Sequence, residues 1–449
     1  MNPYIQYMYS YPHKTAYRPL EPIRLQDYAR YLSGKNHGLY LHIPFCQSKC
    51  GYCNLFSVTG QSTEAFALYL DAVTRQAEQY RAIFSDIRPE FSDITIGGGT
   101  PLLLPAEQLK RMFLVLETCF RYETGRTLTI ETAPNQTSRE KLQILQQARV
   151  TRISMGIQSF SDRELKTLGR RHDAKTARKA LDLLKSCRFP CINADFIYGI
   201  PGQSTESLLA SLKEAVRFAP DEIFLYPLYL HRGAWLAGVS SDLPKPDETY
   251  RQYLEASACL KSEGYRQDSM RRFVKARPTG SPRAFSECGF GTSLALGCGG
   301  RSYLGNLHFC TPYAVTAPEC LRQLNAFMHT EDFSAVTHGV LLSEEEQKRR
   351  YIIRHLFLAP GLPLGRYQKH FGTDARQEFP LLTEWLQKGY ARKTEANADE
   401  FLTLSENGIG LSDYLGPQLI SAPILEKMKE WEAIHDRKHT HIPGQPKKL

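Results

Sequence analysis

No stretch of the chain carries the ~18 consecutive apolar residues that would cross a bilayer. The opening residues, Met1 to Tyr11, are polar and tyrosine-rich rather than apolar. Neither a membrane span nor a secretory leader is therefore expected, and the expected location is the cytoplasm. Long runs of Lys or Arg are missing too, as are basic stretches interleaved with aromatics. The formal charge of +9 thus gives no case for nucleic acid as a partner, and it suits a small polyanionic substrate. A hydrolase-like triad signature is also absent. What the chain has in quantity is cysteine, eleven residues in all. An odd count in a long chain argues against a disulfide framework and for reduced thiols, some of them binding metal. With 449 residues, the chain is long enough for one large domain and a smaller one.

From Leu39 onward, short β-prone runs alternate with amphipathic ones. Strands are expected at Leu39–Ile43, Asp93–Ile96, Thr127–Thr132, Arg152–Ile157, Cys191–Tyr198 and Glu222–Leu228. Helices are expected between them at Thr63–Phe84, Ala106–Phe120, Ser138–Gln147, Ala174–Ser186 and Ser204–Phe218. This alternation implies an α/β fold with a parallel sheet, and six units make a partial (β/α)6 barrel, open on one side. Ligands of such sheets gather at the carboxyl ends of the strands. The expected division is an arm over 1–38, the barrel over 39–240 and an irregular, glycine-rich barrel-closing segment over 241–340. A small winged-helix-like α+β module over 341–424 and a polar, frayed tail over 425–449 complete it. The arm reads as extended, with one short helix near Leu25–Leu32.

The motif with the most chemistry is His42-Ile-Pro-Phe-Cys46-x-x-x-Cys50-Gly-Tyr-Cys53, directly after the first strand. A loop this short can wrap three thiolates around one face of a cubane, ligating three of its four irons and leaving the fourth open. A four-cysteine zinc or ferredoxin site needs another nearby thiolate, yet the next cysteine, Cys119, falls inside an expected helix. Further on, the expected strands end in Gly97-Gly98-Gly99-Thr100-Pro101, Glu131 and Gln158, with Arg170 and Asp195 following. Each of these, alone, reads equally well as a turn or a solvated polar group; their recurrence at successive strand ends is the signal.

The cysteine spacing, the aromatic residue before Cys53 and the sequence downstream resemble the radical S-adenosylmethionine superfamily. Within it, His-Ile-Pro-Phe-Cys resembles the oxygen-independent coproporphyrinogen III oxidase family, which includes true oxidases, heme chaperones and further relatives. The resemblance spans nearly the whole chain. It implies a radical S-adenosylmethionine barrel holding a 4Fe–4S cluster on Cys46, Cys50 and Cys53. It also implies S-adenosylmethionine against Tyr40, Tyr52, Gly98, Gly99, Thr100, Glu131, Gln158, Arg170 and Asp195. Arg301, in Leu296-Gly-Cys-Gly-Gly-Arg-Ser, and Pro227 match cofactor-contacting positions as well. The implied activity is reductive cleavage of the cofactor to a 5′-deoxyadenosyl radical and oxidative decarboxylation of a porphyrinogen propionate. A low-potential donor such as flavodoxin or ferredoxin would supply the electron. A heme-binding, chaperone-like protein and a radical methyltransferase are the alternatives.

Two departures bear on substrate. The further cysteine that true oxidases carry two positions after the third ligand is Leu55 here. The His-Asn-x-x-Tyr-Trp signature of the heme chaperones has no counterpart in Tyr265–Lys275. Substrate carboxylates are expected near Arg271, Arg272 and Lys275, with the arm segment Tyr11–Arg18 close by. Cys288, Cys298, Cys310 and Cys320 are irregularly spaced and read as structural thiols.

Overall fold

A computed structural model of the chain describes residues 2–8, 10–230, 234–239, 243–275, 291–396 and 399–439. Six strands alternate with helices: His37–Ile43, Glu90–Gly98, Arg121–Thr132, Arg152–Gln158, Cys191–Tyr198 and Glu222–Pro227. They pair side by side in parallel. Ser293–Leu296 adds a seventh parallel strand beside His37–Ile43. Antiparallel strands extend both ends into one sheet of 13 strands, which does not close on itself. The partial α/β barrel expected from the sequence is what forms.

Period two explains why these strands make a barrel with a functional interior. Ile94 and Ile96, Ile130, Ile153 and Met155, Ala194 and Phe196, Ile223 and Leu225 are all buried in the main core. There they meet helix residues such as Leu109, Leu142 and Leu181. The intervening positions are polar or small: Glu131, Ser154, Gly156, Gln158 and Asp195 face the inner cavity. Serine and aspartate caps start the outer helices: Ser62, Ser138, Asp173 and Ser204 each accept a backbone N–H of the first turn.

Three parts differ from the expectation. The glycine-rich stretch is ordered where described, with a helix over Pro246–Ser262 and strands at Tyr265–Gln267, Arg272–Lys275, Ser293–Leu296 and Arg301–Leu304. The helix buries Thr249, Tyr253, Ala256 and Leu260, a helical spacing obscured by the glycines that follow. The arm is not merely extended, because Arg18–Arg24 pairs antiparallel with Ala335–Leu341 at the sheet edge. The tail continues as a helix over Ala422–His439, and the rest of the stretch expected to fray, 440–449, lies outside the described residues. Its Ile424 and Met428 enter the smaller core, beside Tyr11 and Ala16 of the arm. That smaller core belongs to the helices and three-stranded sheet beyond residue 343. Among the described residues no helix is long and apolar enough to cross a membrane.

Candidate active site

The cysteine loop is held from four directions. Phe45–Cys46 pairs with Val58–Thr59, and the Val58 amide donates to the Pro44 carbonyl at 2.8 Å. His42, on the first strand, meets the Phe56 carbonyl at 2.9 Å and the Tyr40 hydroxyl at 3.1 Å. In mid-loop, the Gly51 amide donates to the Leu168 carbonyl at 3.0 Å and its own carbonyl accepts from Leu236 at 3.1 Å. A side chain at Gly51 has no room, since a Cβ there would lie 2.7 Å from the Trp235 ring. Lys49 reaches the Val315 carbonyl at 2.5 Å.

The glycine triplet is a fitted cradle and more than a turn. A Cβ on Gly97 would lie 2.9 Å from the Glu131 carboxyl, and one on Gly98, at φ +116, would lie 2.7 Å from the His42 ring. One on Gly99 would lie 2.6 Å from the Phe45 carbonyl oxygen and 2.9 Å from Cys46 Sγ. The Gly99 and Thr100 amides donate to Ile43 and Phe45, both at 2.8 Å. The triplet thereby locks the second strand end against the cysteine loop.

Around this loop lies a cavity of about 560 Å³. Its inner wall includes Cys46, Cys50, Cys53, Tyr52, Gly98, Gly99, Thr100, Glu131, Gln158, Arg170, Asp195 and Pro227. Tyr40 and Arg301 lie outside that wall: Tyr40 turns to His42, and Arg301 donates to Ser10 at 2.6 Å. The backbone amides ahead of Arg301 are already taken, Gly297 by Gln76 at 2.8 Å and Gly299 by Thr311 at 2.9 Å.

The electrostatics inside are unusual for carboxylates. Burial pushes Glu131 up to about 7, against the single Gly98 amide that it accepts at 3.0 Å. Burial likewise pushes Asp195 up to about 6, although Asn193 and Ser154 donate to it at 2.7 and 3.2 Å. Arg170 donates to the Gly156 carbonyl at 2.6 Å and to Cys50 Sγ at 3.3 Å. Its Nε, buried, has no partner among the described residues. Burial drives the Cys46 thiol up to about 12 and raises Cys53 too. These two thiols therefore keep their protons until a metal takes them. Among the described residues no three Cys, His, Asp or Glu converge on one metal ion. A cubane asks for something else, since each thiolate takes a different iron.

The outer wall was not visible in the motifs. Ile5, Gln6 and Tyr7 of the arm and Tyr226, Leu228, Tyr229 and Leu230 supply it. Asp413 pins it: its carbonyl accepts from the Ile5 and Gln6 amides, both at 3.2 Å, and its carboxylate accepts from Tyr229 at 2.5 Å. Arg271 pairs with the same carboxylate and lies 3.7 Å from the Tyr7 ring centre. The tyrosine-rich start of the chain was the only sequence signal for this wall. The expectation for Arg271, Arg272 and Lys275 is corrected here, because none of the three lines the cavity. Arg271 serves Asp413, Arg272 bridges Glu222 and Asp268 at 2.6 and 3.2 Å, and Lys275 is exposed. Of the expected arm segment, His13 reaches the cavity, while Tyr11 is buried against Glu346 in the smaller core. Cys298 and Cys320 are buried, as structural thiols would be, and Cys288 lies outside the described residues.

The radical SAM superfamily model matches residues 40–215. Heme chaperone HemW of Haemophilus influenzae is 32% identical over 268 residues, 59% of this chain and 70% of that protein. Oxygen-independent coproporphyrinogen III oxidase of Escherichia coli is 26% identical over 411 residues, 86% of this chain and 88% of that protein. The solved structure of the Escherichia coli coproporphyrinogen III oxidase superposes with a TM-score of 0.76 at 21% identity, over 92% of this chain and 97% of that one. Fold and cysteine loop thus define a radical SAM protein. The chain belongs to the family that groups oxygen-independent coproporphyrinogen III oxidases with the heme chaperones HemW.

Members of the superfamily bind a 4Fe–4S cluster and S-adenosylmethionine. The residues present fit both groups. Three thiols share one wall, Gly98, Gly99 and Thr100 line it beside them with no side chain to spare at the two glycines, and the buried Arg170 Nε awaits an acceptor.

Proposed function

We propose that this chain is a radical S-adenosylmethionine enzyme acting on a tetrapyrrole, by oxidative decarboxylation of a porphyrinogen propionate. The observation that carries the reading is the shared cavity: three cysteines, Arg170 and two carboxyls raised by burial among its inner lining, and an apolar, tyrosine-rich outer lining. When bound, the cluster and S-adenosylmethionine supply one-electron cleavage to a carbon radical that takes a hydrogen atom. Cys46, Cys50 and Cys53 hold the cluster, and Arg170 offers its guanidinium to the cofactor carboxylate. Glu131 and Asp195 accept from the cofactor's ammonium or ribose hydroxyls. Gly98, Gly99 and Thr100 let its backbone-facing edge approach. Ile5, Tyr7, Leu228 and Leu230 keep water from the hydrogen transfer. The cytoplasm and a low-potential donor such as flavodoxin or ferredoxin suit this chemistry.

The 32% identity to a heme chaperone favours a second reading, heme binding without turnover. One anaerobic experiment separates them: reconstitute the cluster, add dithionite and S-adenosylmethionine, and assay 5′-deoxyadenosine with and without coproporphyrinogen III. Nucleoside together with a decarboxylated porphyrinogen upholds the enzyme. A stoichiometric heme absorbance band with the porphyrinogen untouched supports the chaperone. Replacing any one of Cys46, Cys50 and Cys53 by Ala abolishes both cluster binding and nucleoside formation; normal cleavage in such a variant refutes the site.

A further inference from the structure

Arg170 sits where two loops are stitched together. The Gly51 amide donates to the Leu168 carbonyl at 3.0 Å, and a Cβ on Gly169 would lie 3.5 Å from the Gly51 nitrogen. The Arg170 amide donates in turn to the Leu165 carbonyl at 2.9 Å. Cys50 and Arg170 therefore lie next to a fixed backbone contact. The guanidinium is held as well. Its Nη2 donates to the Gly156 carbonyl at 2.6 Å, and its Nη1 donates to Cys50 Sγ at 3.3 Å. Its Nε is buried without a partner among the described residues. Because the group is planar, fixing two of its nitrogens fixes the direction of the third. Cys46, by contrast, meets a neutral hydroxyl, Thr100 Oγ1, at 3.8 Å.

A donor on a ligating sulfur changes the metal centre that the sulfur serves. Reduction adds one electron to the irons and their thiolates. An N–H on a thiolate, together with a positive charge beside it, favours that added charge. The effect is larger where the surroundings are buried and the dielectric is low. Arginine also keeps its charge at every working pH, so the contribution does not titrate away.

Resting on the radical SAM reading above, we infer that Arg170 raises the reduction potential of the cluster through Cys50 and couples that potential to the cofactor through Nε. The cluster gains one electron and a reductant such as dithionite loses it, while Arg170 gives up no proton and forms no covalent bond. A carboxylate on Nε cancels part of the guanidinium's charge. Arrival of the cofactor therefore lowers the share of the potential that Arg170 supplies. By linkage, reduction weakens the hold of Arg170 on the carboxylate by the same factor.

The test uses the full chain with its cluster reconstituted, titrated anaerobically with dithionite and mediator dyes while the EPR signal of the reduced cluster is followed. Arg170→Met is expected to move the midpoint to a more negative potential. Arg170→Lys, which keeps the charge and loses the fork, falls between the two. S-adenosylhomocysteine at saturation then serves as the ligand, since it carries the same carboxylate and is not cleaved. It moves the midpoint further in the negative direction for wild type than for Arg170→Met. Coincident midpoints for wild type and Arg170→Met without the ligand overturn the proposal, as do equal ligand-induced shifts. If Arg170→Met holds no cluster, the wild-type chain decides alone. Made with isotopically labelled arginine, its reduced cluster shows a coupling to arginine nitrogen in pulsed EPR, and the lack of one overturns the bond to Cys50. A wild-type chain that takes up no cluster refutes both this inference and the reading beneath it. One that holds a cluster yet yields no 5′-deoxyadenosine sinks the enzyme reading alone, while the midpoints still decide the role of Arg170.

Discussion

Two buried charged regions sit in the same barrel, and they are built on opposite rules. At the amino ends of the strands, Arg152 and Arg272 close on Glu222 at 2.9 and 2.6 Å, and Arg272 adds Asp268 at 3.2 Å. All four side chains are less than a tenth exposed. At the carboxyl ends, Glu131 and Asp195 are half-buried in the cavity wall and are met by amide and hydroxyl donors rather than by a guanidinium. Neighbouring cations hold Glu222 below the usual carboxylate range despite its burial, whereas burial wins at Glu131 and Asp195. The contrast separates a base that is electrostatically complete from a mouth that waits for a ligand, as the two faces of β/α barrels generally divide stability from function.

The sharpest way to break this comparison is to open the base. Glu222→Ala leaves Arg152 buried without its carboxylate, and a loss of about 3–5 kcal/mol in denaturant unfolding is expected. A loss below ~1 kcal/mol would mean that the base is as unfinished as the mouth. Next, Gly99→Ala pushes a methyl onto the Phe45 carbonyl and Cys46 Sγ. The reconstituted variant is expected to bind S-adenosylmethionine about tenfold more weakly by calorimetry, about 1.4 kcal/mol, and to lose about 1–3 kcal/mol in denaturant unfolding.

Proton linkage sharpens the contrast from the other side. A carboxyl whose folded pKa is raised stabilises the fold fully below its ordinary range and loses that contribution as pH rises through the raised value. For Asp195 and Glu131 those values are about 6 and about 7. The cofactor-free chain should therefore lose melting temperature between about pH 4 and about pH 7, and Glu131→Gln should flatten that decline by a few °C. An unchanged slope in the variant would remove Glu131 from the account. Smallest of all is an ordinary surface pair: Lys261 meets Glu406 at 2.8 Å, but Glu406 is 85% exposed. Lys261→Ala should cost less than ~1 kcal/mol, which sets the scale against which the buried base is judged.

The parallel strands could be read from the sequence because each is a short β-prone run set between amphipathic stretches of helical spacing, and Cys191–Tyr198 even matches at both ends. The inner wall of the cavity followed, since glycines and polar residues at strand ends are local signals. Glu222, Arg152 and Asp413 gave no such signal: each lies in a segment where a charge reads as solvated, and only distant partners make it buried. The helix over Ala422–His439 escaped for the same reason, as its partners include Arg18, which reaches the Lys427 carbonyl, and Tyr313, 5.0 Å from Trp431. Tyr40 and Arg301 show the converse, family positions whose side chains here serve His42 and Ser10.

The Asp413 hub carries a consequence for how the protein is made. Ile5 and Gln6 leave the ribosome well before the carbonyl that fixes them, which belongs to residue 413. The six strands from His37–Ile43 to Glu222–Pro227, by contrast, each find a neighbour within one strand–helix unit. Synthesis thus delivers the cysteine loop and its cradle long before the outer wall can be tied, because loop closure across almost the whole chain must wait for the far end to exist. For much of its translation the nascent barrel stands without this part of its wall, and a segment made before the barrel is fastened after it.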